Sequence, residues 1–284
     1  VLNRSALAAE RSFTAGEAAT VAQGGAVLLV DACLTTLCAT DRALGALCVV
    51  RRESVVIAEI ALVGSMLLAG GVIPLAHRLL SLRHASVAYY GSLACGAPLL
   101  MQWMGAATRL GGATGATTWL LWQATSSWRL LVYWASLLAM GCSVAWRVAG
   151  SSGADPAGRR RFLDARKVFH FVAFALFTPA AILELRLLQL ALAAAASLFA
   201  LLEAARAYGV WPLAASLQRG CVRFIDSRDG GALVLTHQYL LLGCGLPVLL
   251  FGIYPPSHAA GVGHDTWRGG ERRLHGGGLP SVAL

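Results

Sequence analysis

The sequence predicts an all-α protein, a polytopic transmembrane helical bundle with about seven membrane runs. Three observations carry this. The 284 residues are 57% hydrophobic and 13% charged, with mean hydropathy +0.65, whereas a soluble domain of this size is nearer ~25% charged. Apolar runs of about 20 residues recur, each long enough to cross a hydrocarbon core roughly 30 Å thick. The runs do not alternate polar with apolar residues, as the strands of a membrane barrel do.

The runs are read at 24–40, 55–76, 86–107, 130–146, 168–183, 187–202 and 232–254. The first contains Asp31 and is the weakest. The second contains Glu59, a functional-site candidate because an acid inside a membrane run is expensive. Segment 108–129 holds Trp119, Trp122 and Trp128, which suits a membrane-interface belt. Runs 168–183 and 187–202 are separated only by Glu184, Leu185 and Arg186, so they read as a tight hairpin or as a pair kinked around Thr178-Pro179. Residues 147–158, "RVAGSSGADPAG", read as a flexible linker, and the Gly-rich tail as disordered. The organisation expected is N-terminal helices over 1–146, a basic linker over 147–167, a catalytic membrane core over 168–254 with a loop at 203–231, and a divergent tail over 255–284.

The net charge of +9 sits mainly between the runs. There it fixes orientation and meets anionic headgroups rather than nucleic acid. Linker 147–167, loop 203–231 and loop 77–85 carry eleven arginines and fall on one side of a seven-crossing topology with the N-terminus, against six on the opposite side, so the richer side is expected to be cytosolic. The sequon Asn3-Arg4-Ser5 would then stay unmodified. Seven cysteines with no CxxC pair indicate neither a disulfide framework nor a zinc site. A chain beginning at Val1 reads as a fragment or an incomplete gene model.

Three stretches could carry chemistry. In "ARKVFHF", Arg166, Lys167 and His170 share one helical face where a run meets the surface. Two cations beside an imidazole suit a di- or triphosphate. The plainer reading is a positive anchor that snorkels to the interface. In "FIDSRDGGALVLTHQY", Asp226 and Asp229 can hold a divalent metal, and Gly230 and Gly231 let backbone approach a phosphate. Thr236 and His237 lie about two turns into the next helix. The plainer reading is a loop and a helix cap with Asp229 at the positive dipole end. In "LLEAARAYGVWPL", Glu203 and Arg206 are three apart, which by itself reads as a local salt bridge. Cations, paired carboxylates and glycines gathered on one membrane face point to phosphoryl or nucleotidyl transfer. No P-loop, HExxH pair or GxSxG elbow is present.

In this order, "ARKVFHF", "LLEAARAYGVWPL" and "FIDSRDGGALVLTHQYLLLGCGLP" closely resemble the C-terminal half of eukaryotic dolichol kinases, over roughly residues 160–250. The resemblance implies a multi-pass endoplasmic-reticulum enzyme with a cytosolic site. It would move the terminal phosphate of CTP to dolichol for protein glycosylation, with a divalent cation (Mg2+ or Ca2+). Carried over, it assigns Arg166 and Lys167 to the CTP phosphates with His170 in support, and Asp226 and Asp229 to the metal or nucleotide. Gly230, Gly231 and Thr236 would line the pocket, His170 or His237 would accept the acceptor's proton, and Glu203 and Arg206 would orient the site. The family continues into a G-V-G-D-T-x-A-S stretch that binds CTP. Here the chain reads Gly261-Val262-Gly263-His264-Asp265-Thr266-Trp267-Arg268, so an incomplete nucleotide site and impaired activity are expected. The alternatives are a CTP-dependent kinase of phytol, farnesol or diacylglycerol, and a non-enzymatic transporter or membrane subunit.

Overall fold

The computed structural model describes residues 15–41, 51–79, 85–149, 156–221 and 236–251. Every regular element among them is helical. In chain order these are α1 (Ala15–Thr40), α2 (Glu53–Leu67), a π-helical turn (Leu68–Val72), α3 (Ile73–Leu79), α4 (Ala85–Ala107) and α5 (Ala113–Ser126). They continue with α6 (Trp128–Ala149), α7 (Pro156–Leu183), α8 (Leu185–Ala207), α9 (Leu213–Cys221) and α10 (Thr236–Phe251).

Ala22–Thr40, Glu53–Leu79 and Leu185–Ala207 are long and apolar enough to cross a membrane, and Trp128–Val144 and His170–Leu183 are shorter apolar helices. Runs 86–107 and 232–254 fall on α4 and α10. Large side chains that face outward, such as Leu99, Phe171 and Ile182, are those a helix can present to lipid.

α2 and α8 form the centre. They run parallel, as two cross-links show: Ser54 donates to Gln189 Oε1 (2.8 Å) at one end, and Ser197 donates to the Ala61 carbonyl (3.1 Å) two turns on. Lipid tails are as apolar as leucine, so close packing of small residues and interhelical hydrogen bonds hold such a pair. The composition of α8 supplies both. Ala193 and Ala196 bury against Ala58 and Leu62, and Gln189 is fully buried. Gln189 also donates to the Val248 carbonyl of α10 (3.2 Å), joining three helices through one side chain. We expect Gln189→Leu to cost roughly 1–2 kcal/mol, at the upper end for hydrogen bonds between membrane helices. Thermal melts in detergent, run as a cycle with Ser54→Ala, measure it; an unchanged melting temperature would contradict this account.

On one side of the centre, Ala32, Ile57, Ile60, Met104 and Trp119 join α1, α2, α4 and α5. Trp119 is therefore core, while Trp122 and Trp128 of the expected interface belt are exposed. Arg109 caps α1, donating to the carbonyls of Cys38 (2.7 Å) and Ala39 (3.0 Å). On the other side, Trp134, Ala180, Leu188 and Leu192 join α6, α7 and α8. The expected break between these two runs is present: α7 ends at Leu183, Glu184 leaves helical geometry (φ −146°, ψ 66°), and α8 restarts at Leu185. Pro179 lies inside α7 without ending it.

Three expectations change. Residues 156–167 of the basic linker are the opening turns of α7, and part of the expected loop 203–231 is helix, in the end of α8 and in α9. Cys38 is disulfide-bonded, whereas Cys33, Cys95 and Cys142 are free and exposed. The tail 255–284 lies outside the described residues.

The π-helical turn redirects every side chain beyond it in the same helix. The inward row of this long helix reads Gly64, Leu68, Ile73, with steps of four and then five residues. An uninterrupted α-helix would turn Val72 inward, yet Val72 is exposed and Ile73 is 1% exposed. One inserted residue rotates the rest of the helix by about 100°. The next inward position is thus His77.

Candidate functional site

The site is built at the end of the bundle where α3, α8 and α9 meet. α8 is stopped there by the sequence Tyr208-Gly209-Val210. Gly209 has φ +67°, a conformation that suits glycine. Its N–H bonds the Arg206 carbonyl (3.2 Å), and Val210 N–H bonds the Ala205 carbonyl (2.9 Å). These two bonds make a Schellman termination. Val210, fully buried with Ala205, Ile73 and Tyr89, nails the turn to the core. The Trp211 N–H is held by Ser86 Oγ (2.9 Å) at the start of α4.

This termination holds Arg206 in the last turn of α8. Its guanidinium grips Glu203 at both oxygens (2.9 and 2.5 Å) and reaches Gln218 of α9 (3.2 Å). The pair is mostly buried, with side chains 11% and 17% exposed. A bidentate, desolvated pair of this kind fixes both side chains in one geometry. The expected Glu203–Arg206 pairing is therefore present, and it ties α8 to α9.

Beside it lies a group that the sequence does not announce. The His77 ring stands 6.2 Å from the Tyr208 ring, tilted at 58°. Burial pushes the Tyr208 hydroxyl above the ordinary tyrosine range, with the charge of neighbouring Arg78 working in the other direction. His77 Nδ1 is buried and has no hydrogen-bond partner among the described residues. No local pattern in the sequence gives His77 this role, because its direction depends on the π-helical turn one element earlier.

The other expected residues lie on α7, on α10 and outside the described residues. Lys167 and His170 are exposed on α7. Lys167 lies about 24 Å from the Glu184 break along α7, and Glu203 about 27 Å from it along α8. Arg166 is on the same turn of α7, with its side chain outside the described residues. Gln189–Val248 and the packing of Gly245 on Leu192 set α10 antiparallel to α8. That register puts Thr236 and His237, the first residues of α10, level with Ala200 and Leu201, about one turn short of Glu203. Asp226, Asp229, Gly230 and Gly231 lie outside the described residues, as does the 261–268 stretch. Among the described residues no group of three or more His, Cys, Asp and Glu side chains forms a metal site.

The opposite end of the bundle has its own charged cluster. Arg51 grips Asp31 of α1 at both oxygens (2.5 and 2.8 Å) and reaches Glu59 of α2 (3.4 Å). Asp31, read from the sequence as the weak point of the first run, is therefore a partner in a clamp.

A helical bundle with membrane-length apolar helices and a charged, partly buried cluster at one end defines an integral membrane protein. Within that class, a family model described as dolichol kinase matches residues 7–241. The chain belongs to the dolichol kinase family. The dolichol kinase of Mus musculus is 37% identical over 122 residues, 43% of this chain and 23% of that protein. That of Homo sapiens is 35% identical over 131 residues, 46% of this chain and 24% of that protein. Dolichol kinase EVAN of Arabidopsis thaliana is 35% identical over 119 residues, 42% of this chain and 20% of that protein. The match thus spans about a quarter or less of the length of these curated relatives. No solved structure matches.

Proposed function

We propose that this protein transfers the terminal phosphate of CTP to the hydroxyl of dolichol, giving dolichyl phosphate and CDP, at the cytosolic face of the endoplasmic-reticulum membrane. The observation that carries this reading is the Arg206 end of the bundle. There, membership of the dolichol kinase family meets a bidentate, mostly buried Glu203–Arg206 pair that reaches Gln218 of α9.

In this reaction the dolichol oxygen attacks the γ-phosphorus, the bond from that phosphorus to the β–γ bridging oxygen breaks, and CDP leaves. The hydroxyl proton passes to His237 or His170. Phosphoryl transfer asks little covalent chemistry of a protein and much positioning and charge. Arg166 and Lys167 supply charge to the CTP phosphates. Glu203 and Arg206 hold the end of α8 in place, and Gly230, Gly231 and Thr236 line the pocket. A divalent cation, Mg2+ or Ca2+, would neutralise the phosphates when held by Asp226 and Asp229. Residues 168–254 form the catalytic core in this reading, and 1–146 the supporting helices.

The test supplies membranes carrying the protein with γ-labelled CTP and dolichol. Label is expected in dolichyl phosphate, at a rate lowered by the departure of Gly261–Arg268 from the family's CTP stretch, with ATP a poor substitute. Transfer to phytol, farnesol or diacylglycerol but not to dolichol would move the reading to another lipid alcohol, and no transfer to any alcohol would reject it.

A further inference from the structure

The N-terminal helices also contribute to the Arg206 end. His77 and Arg78 close the membrane-length segment Glu53–Leu79. Their neighbours Val72, Leu75 and Leu79 are 45%, 54% and 73% exposed and so are available to lipid. The chain spends an inserted residue, in the π-helical turn, to bring His77 inward from that lipid-facing side. π-Helical insertions of this kind concentrate at functional positions. Once turned in, His77 meets no polar partner: Nδ1 is buried and unpaired among the described residues, against an aromatic ring rather than a donor or acceptor. A buried polar atom left without a partner costs about 1–3 kcal/mol, so it calls for an occupant.

The position says which occupant. It lies at the end of a membrane span, between lipid-exposed leucines and the Tyr208–Arg206 turn of α8. A water-soluble nucleotide reaches the site from the aqueous side, where Lys167 and His170 are exposed. An alcohol on a hydrocarbon chain arrives from the bilayer, with only its hydroxyl needing a polar contact. We propose that His77, with Tyr208 and Arg78 beside it, forms the subsite that receives the hydroxyl end of the lipid acceptor. Imidazole Nδ1 bonds the hydroxyl, the Tyr208 ring backs the imidazole, and Arg78 holds the anionic phosphate once it has been transferred. This assignment rests on the lipid-alcohol reading above and adds the acceptor side of the same site.

Two measurements test it, one without turnover. A short polyprenol carrying a diazirine beside its hydroxyl is irradiated in membranes holding the protein, and the labelled peptides are mapped. Label is expected on the 73–79 or 208–213 segment and should fall when excess dolichol is added. Label found only elsewhere, or not displaced by dolichol, overturns the subsite. In the second, His77→Ala is expected to raise KM for dolichol about tenfold, as for one lost hydrogen bond, with KM for CTP unchanged. His77→Gln should recover part of that loss, and melting temperatures should match the parent. Unchanged KM for dolichol, or equal changes in both KM values, overturns the assignment. If the parent transfers no phosphate but the photolabel still maps to His77, the reaction falls and the lipid-alcohol subsite stands.

Discussion

Asp229→Asn and Lys167→Ala are each expected to lower CTP-dependent phosphorylation of dolichol by about 10²–10³-fold, the scale seen when one group facing transition-state charge is removed. The loss should fall on kcat/KM for CTP. Lys167 is the only lysine in an arginine-rich chain. A compact ammonium and a planar guanidinium fork present charge differently. Lys167→Arg should therefore remain impaired, by roughly tenfold or more. Full activity in both Asp229→Asn and Lys167→Ala would reduce these positions to a helix cap and a membrane anchor.

The largest stability effect is expected at the other end of the bundle. Arg51→Ala leaves the carboxylates of Asp31 and Glu59 facing each other without their shared cation. Glu59 is 6% exposed in its side chain, and its Oε1 already lacks a partner among the described residues. Breaking a fully buried pair costs about 3–5 kcal/mol. Asp31 and Arg51 are 35% and 22% exposed, so solvent screening lowers the figure here to roughly 2–4 kcal/mol. The combined change Arg51→Met, Asp31→Asn, Glu59→Gln should restore most of it, because no unpaired charge then remains. Thermal unfolding in detergent compares the three proteins. A single mutant as stable as the parent would show that the clamp contributes nothing.

The helical class and the break at Glu184 are legible in the sequence because each rests on local signals: long apolar runs, and a charged interruption between two of them. Glu203 and Arg206 are legible as a pair for the same reason, being three apart on one helix. The clamp role of Asp31 is not legible because its partner, Arg51, is 20 residues away in the sequence. Composition places Trp119 at the interface, yet packing against Ile60 and Met104 decides where a tryptophan sits. His77 is invisible for a different reason. Periodicity assumes an unbroken turn of 3.6 residues, and the five-residue step from Leu68 to Ile73 breaks it.

That same long helix also measures the membrane. Charged or imidazole groups bracket it, with Glu59 toward one end and His77 at the other. The uncharged stretch between them, 60–76, with Ser65 its one polar side chain, rises about 25 Å. An endoplasmic-reticulum bilayer is roughly 27 Å across its hydrocarbon, and a sterol-rich plasma membrane about 32 Å. The helix thus matches the thinner bilayer. In the thicker one, either the bilayer thins around the helix or the Arg51 clamp or the His77 turn is drawn toward hydrocarbon.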